Sequence, residues 1–124
     1  MIDPNFVILY VDSPAASADF YADLLGRPPV EASPTFAMFA LNPTVMLGLW
    51  SRATVAPAAA ERPGSTEIAF TAAAAEEVDA THAQWRKRGL EVVQPPTDMD
   101  FGRTFVALDP DGHRLRVFAP ADQR

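Results

Sequence analysis

One order of apolar segments occurs twice in this 124-residue chain, and that repeat limits the folds open to it. The first pass begins with FVILYV, residues 6 to 11, a continuously apolar run rich in β-branched and aromatic side chains. The run is too short for a buried helix and reads as a strand covered on both faces. Ser13 and Pro14 supply a cap residue and a proline at the first helical position. The spacing predicts a helix from about Pro14 to Leu25, with the i,i+4 pairs Phe20–Leu24 and Tyr21–Leu25 as its inner stripe. Gly26 and then Pro28-Pro29 stop it. Two apolar strands follow, TFAMFAL and VMLGLW, joined by a turn at Asn42-Pro43.

The second pass repeats the first. TEIAFT reads as a strand, and Ala73 to Arg88 as a helix with Val78, His82 and Trp85 on one stripe, ended by Gly89. LEVVQ reads as a strand and PPTDMDFG as a loop. TFVAL and RLRVF pair as a hairpin across Asp109-Pro110-Asp111-Gly112, where proline suits the second turn position and glycine the fourth. The expected architecture is α+β, one domain of two βαβββ modules at about residues 5–52 and 65–119. A loose Ala/Pro linker, 53–64, with no fold of its own joins them. The sheets are expected to be curved and mixed with helices outside. The face left by the helices must be covered by the other half, a second chain or a ligand.

Composition removes several function classes. A formal net charge of -6 disfavours nucleic acid as a partner, because phosphate binding wants a basic face. The one basic cluster, Arg86-Lys87-Arg88, sits at a helix end and complements the helix dipole. With no cysteine there is no disulfide framework and no thiolate zinc site, which fits a cytoplasmic protein. Met1-Ile2-Asp3-Pro4 does not open a signal peptide, and no apolar run approaches the ~20 residues of a membrane span.

The segments ILYVDSPAASADFYADLLG, STEIAF and FGRTFVALDPDGHRLRVF together resemble the vicinal oxygen chelate superfamily of glyoxalases, fosfomycin and bleomycin resistance proteins and extradiol dioxygenases. Within it the chain is similar to phenazine-antibiotic resistance proteins, which the resemblance describes as binding a planar tricyclic antibiotic without metal. The matching stretches include Ser17 to Tyr21, Trp50-Ser51 and Ser65 to Ile68. Metal-binding members place ligands on the first and last strands of each half, at positions matching Phe6, Gly48, Glu67 and Arg116. Phe6 and Gly48 cannot coordinate through side chains, and Arg116 is a permanent cation. A lone Glu67 does not make a tight transition-metal site, so no metal or other cofactor is expected. His82 reads as a helix-packing residue, and His113 as capping its hairpin or facing solvent. Asp109 and Asp111 read as turn chemistry.

Strand alternation gives an inner face. If Phe6 points in, so do Ile8 and Tyr10; Gly48 brings Met46 and Trp50; Arg116 brings Arg114 and Phe118. Val7, Leu9, Val11, Leu47, Leu49, Leu115 and Val117 then pack under the helices. The resulting cup is aromatic and soft, with Phe36, Met38 and Phe39 as further contributors. Two charges remain in it, and Arg116 is expected to pair with Glu67 across the vacated metal position; the alternative points Arg116 to solvent. Phe101 and Arg103 on the adjacent loop are candidates for ligand contact, with Arg103 either meeting a ligand carboxylate or pairing with Asp98 or Asp100.

The candidate ligand-binding set is thus Phe6, Tyr10, Met46, Trp50, Glu67, Phe101, Arg103 and Arg116, with no catalytic and no metal-ligating residue. The resemblance implies a homodimer in which modules of two chains complete each cup. The favoured function is metal-independent binding of a small hydrophobic, planar aromatic compound, and its sequestration as in antibiotic resistance. The alternatives are a lyase or isomerase using a metal or Glu67 as base, its pKa raised by burial, and a dimerisation module whose cup is filled by its own side chains.

Overall fold

The computed structural model describes residues 5–59, 64 and 66–121. The expectations that touch Met1 to Pro4, Ser65 and linker residues 60–63 lie outside these residues. The chain forms two compact units, Met1–Pro63 and Gly64–Arg124, each a helix with a four-stranded sheet, so the fold is α+β with two βαβββ modules.

The first unit contains strand β1 (Phe6–Val11), helix α1 (Pro14–Leu25), the two-residue strand β2 (Glu31–Ala32), β3 (Phe36–Asn42) and β4 (Val45–Ser51). The sheet order is β1-β4-β3-β2, with β1 parallel to β4 and the other pairs antiparallel. Helix α1 begins where expected: the Ser13 side chain accepts from the Ala16 amide at 3.1 Å, and Pro14 is the first helical residue. It ends at Gly26, whose φ of 69° is the left-handed region that glycine enters without a Cβ penalty. The β3–β4 turn is held by Asn42, whose Oδ1 accepts from the amides of Thr44 and Val45, both at 2.9 Å.

α1 covers one face of this sheet. Leu9, Val11, Ala37, Phe39, Leu47 and Leu49 are buried there, with Tyr21 of α1 stacking on Phe39 at 6.4 Å between ring centroids. The helix stripe is therefore Pro14, Ser17, Ala18 and Tyr21; Phe20 and Leu24, expected on it, are half-buried. β1 is not covered on both faces. Phe6, Ile8 and Tyr10 stay 44%, 43% and 37% exposed, because the unit's one helix lies on the other side. Val7, expected under the helix, also stays exposed at the start of the strand. Nor is the start of the linker loose: Arg52 donates to Asp12, the Thr54 hydroxyl donates to Ser51, and Val55 is buried.

The second unit repeats the plan with β5 (Glu67–Thr71), α2 (Ala75–Lys87), β6 (Val92–Met99), β7 (Gly102–Leu108) and β8 (Arg114–Pro120), in sheet order β5-β8-β7-β6. β5 runs parallel to β8. α2 packs on β7 and β8, where its Val78 and Trp85 are buried along with Phe105, Ala107, Leu115, Val117 and Ala119, and Trp85 meets the Phe105 ring edge-on at 5.3 Å. His82 meets the Phe105 ring edge-on at 5.3 Å, a helix-packing histidine. In the β7–β8 hairpin Gly112 donates to the Asp109 carbonyl, and the Asp109 carboxylate accepts from the amides of Asp111 and His113. His113 is buried, so the solvent-facing alternative does not hold.

The PPTDMDFG loop is mostly strand. β6 continues through Pro95 and Pro96 to Met99, and only Asp100 and Phe101 turn the chain. β6 is the sheet edge, where a proline removes no needed donor, and the pairing to β7 shifts register between Gln94 and Thr97.

Gly102 opens β7 with φ of 140°, and a Cβ there would lie on the carbonyl oxygen of Ala119 in β8. Gly102→Ala is expected to destabilise the second unit by about 2 kcal/mol or more, read as a lower urea midpoint. An unchanged midpoint would contradict this close approach.

Candidate functional site

The sheet register of the first unit gathers the expected aromatic residues on its exposed face. β1–β4 pairing sets Phe6 beside Met46, Ile8 beside Gly48 and Tyr10 beside Trp50. β3–β4 pairing sets Phe36 beside Trp50 and Met38 beside Gly48. Trp50 is the centre of this face: Tyr10 and Phe36 each meet it edge-on at 6.4 Å between centroids. Edge-to-face contacts of this kind hold ring orientation while leaving ring surface open. Phe39, expected here as a contributor, has the opposite parity and lies in the core under α1.

Gly48 explains how the rings sit so low. A Cβ at this position would come within 2.8 Å of both the Phe6 and the Phe36 rings. Gly48 is thus the floor on which two phenyl rings rest.

The exposed face of the second unit is built around Arg116. The Arg116 Nε donates to Glu67 Oε2 at 2.9 Å, and a second nitrogen reaches Glu67 Oε1 at 3.5 Å. Its third nitrogen donates to Thr104 Oγ1 at 3.1 Å and to Gln94 Oε1 at 3.4 Å. The guanidinium carbon stands 5.7 Å from the centroid of the Phe101 ring, which itself meets Phe118 edge-on at 6.0 Å. One side chain therefore links β8 to β5, β7 and β6, and to the turn between β6 and β7. Glu67, Phe101, Arg116 and Phe118 line an open concavity of about 490 Å3, within the range of small-molecule sites.

The sequence missed Gln94 and Thr104. Thr104 was accessible from the hairpin register, since it lies on the same face as Val106, the residue opposite Arg116. Gln94 was hidden by the two prolines that followed it.

Arg103 is not brought to this group. It alternates onto the helix face of β7, where its Nε donates to Asp79 of α2 at 2.9 Å and another nitrogen to Asp98 at 3.0 Å. These bonds, Asp79 first, push its pKa above the usual arginine value. Of the two carboxylates considered for it, Asp98 is a partner, and Asp79 is an addition.

The donor set does not fit a metal. Among the described residues no three His, Cys, Asp or Glu side chains come together. The one carboxylate at the matching positions, Glu67, has both oxygens directed at a permanent cation, which would repel a metal ion from the same place. Glu67 is also exposed, so burial, the premise of the general-base alternative, is missing.

With this geometry in hand, the comparisons with known proteins are specific. The family model described as the Glyoxalase/Bleomycin resistance protein/Dioxygenase superfamily matches residues 4–117. The phenazine antibiotic resistance protein EhpR of Enterobacter agglomerans is 33% identical over 120 residues, which cover 94% of this chain and 91% of that protein. A protein of Agrobacterium tumefaciens solved in solution is 52% identical with a TM-score of 0.89, over 98% of this chain and 100% of that one. A glyoxalase/bleomycin resistance protein/dioxygenase from Nocardioides is 28% identical with a TM-score of 0.84, over 100% of this chain and 88% of its own.

A double-mutant cycle of Glu67→Gln and Arg116→Met is expected to give a coupling energy of about 1 kcal/mol, modest because Glu67 is partly solvated. Arg116→Met alone is expected to cost more than Glu67→Gln alone, since it also releases Thr104, Gln94 and Phe101. Equal single costs with no coupling, measured by urea unfolding, would contradict the four-strand link.

Proposed function

This chain belongs to the Glyoxalase/Bleomycin resistance protein/Dioxygenase superfamily, and we propose that it binds a small, hydrophobic, planar aromatic compound without a metal ion and without breaking a bond. The observation that carries the reading is the ring set of the first unit: Phe6 and Tyr10 are exposed, Phe36 and Trp50 are half-buried, Phe6 and Phe36 rest on Gly48, and Tyr10 and Phe36 meet Trp50 edge-on. Such a surface offers stacking area at fixed orientation, and Met38 and Met46 beside it adapt to ligand shape. The similarity to a phenazine antibiotic resistance protein supports the same ligand class.

The second unit, taken by itself, carries an open face built on Glu67 and Arg116. Glu67 is exposed and paired with Arg116, a setting that stabilises its charged form rather than poising it as a buried base, which favours binding over turnover. Protection against a toxic aromatic would then be stoichiometric, set by protein concentration relative to Kd. The proposal includes a homodimer, because an exposed face of this apolar character is suited to cover by a second copy of the chain. It also places the protein in the cytoplasm, where a cysteine-free chain is at no disadvantage.

Trp50→Ala is expected to weaken binding of phenazine by about tenfold, measured by calorimetry, with far-UV circular dichroism unchanged. Wild-type affinity in this variant would remove Trp50 from the site.

A further inference from the structure

We infer that the Glu67–Arg116 concavity of the second unit, with its own Phe101 and Phe118 rings, reads a hydrogen-bond donor on an aromatic ligand seated there, an N–H or O–H group received by Glu67; this rests on the reading that the chain binds planar aromatic compounds and names the ligand class within it. The argument is a balance of donors and acceptors. An arginine carries five N–H groups. At Arg116 one goes to Glu67 Oε2, one to Thr104, one to Gln94 and one, at 3.5 Å, to Glu67 Oε1, so a single N–H is left for a ligand. An ionised carboxylate has about four acceptor positions. Glu67 uses one at 2.9 Å and one at the long distance of 3.5 Å, and it lines the concavity. The site therefore holds surplus acceptor capacity and almost no surplus donor.

The walls point the same way. Phe101 and Phe118 stand nearly perpendicular at 79° beside Glu67, so a flat ligand stacked on one ring and meeting the edge of the other has its rim within the concavity that the carboxylate lines. A ring amine, amide or hydroxyl on that rim meets an acceptor. A ring carboxylate meets Glu67 as a like charge, with one N–H of Arg116 to offset it. The Gln94 and Thr104 side chains do not alter the balance: Thr104 donates to the Val117 carbonyl at 2.9 Å, and the Gln94 amide nitrogen is directed at Met99 Sδ.

The test is calorimetric titration of the full chain with phenazine, an aminophenazine and a phenazine carboxylate, repeated with Glu67→Gln. The aminophenazine is expected to bind about tenfold more tightly than phenazine, and the carboxylate no more tightly than phenazine. Glu67→Gln is expected to shrink the amino advantage, taken as the ratio of aminophenazine to phenazine affinity within the same variant, to about threefold or less. The ranking of the three compounds on the wild-type chain stands as a test even if the variant folds poorly. Equal affinity for phenazine and aminophenazine, a carboxylate preference, or an amino advantage that survives Glu67→Gln would overturn the inference and leave the aromatic-binding reading intact. Binding of none of the three would overturn that reading and the inference together.

Discussion

A four-stranded sheet has two faces, and each unit of this chain has one helix to lay on them. That constraint organises the molecule. On the helix side, alternation supplies Leu9, Val11, Leu47 and Leu49 in one unit and Phe105, Ala107, Leu115 and Val117 in the other, all buried. On the opposite side, the same strands must carry side chains that tolerate the lack of a helix. In the first unit these are aromatic rings and methionines. In the second they are a carboxylate, a guanidinium and the amide and hydroxyl groups that complete it. The chemistry of the protein is written on what the helices do not cover.

Arg116 shows how one uncovered face is held together. A metal ion joining two strands would need several ligands of its own. A guanidinium needs acceptors, and Glu67, Thr104 and Gln94 provide them from three different strands at 2.9 to 3.4 Å. The arginine is planar and permanently charged, so the link is directional and does not depend on a cofactor. Its cation also rests against the Phe101 ring, tying the β6–β7 turn to the sheet. Gly48 plays the complementary part in the other unit, where the absence of a side chain lets Phe6 and Phe36 close over the strand.

Much of this was legible from residue order. The two βαβββ passes, the Ser13 cap and the turns at Asn42 and Asp109 follow from local chemistry or from period-two alternation, whereas the Glu67–Arg116 pair was expected from the resemblance, which sets both residues at one vacated metal position. What was not legible depended on facts between elements. β1 read as doubly covered because a continuous apolar run does not say how many helices its unit owns. Pro95-Pro96 read as loop because edge position, which makes proline harmless, is a property of the sheet. Phe39 was grouped with Phe36 and Met38 although one strand cannot present both parities to one face. Arg103 was grouped with Arg116 because its partner Asp79 lies 24 residues away on the helix.

The central claim is the proposed one, that the chain binds a planar aromatic compound without a metal ion. Its most direct test is calorimetric titration of phenazine into chelator-treated protein, and into the same protein supplied in turn with zinc, nickel and manganese, with mass spectrometry of the recovered ligand. The account predicts saturable binding of equal affinity in every sample and ligand returned unaltered. Binding that appears only with a metal, or ligand returned chemically changed, would contradict it.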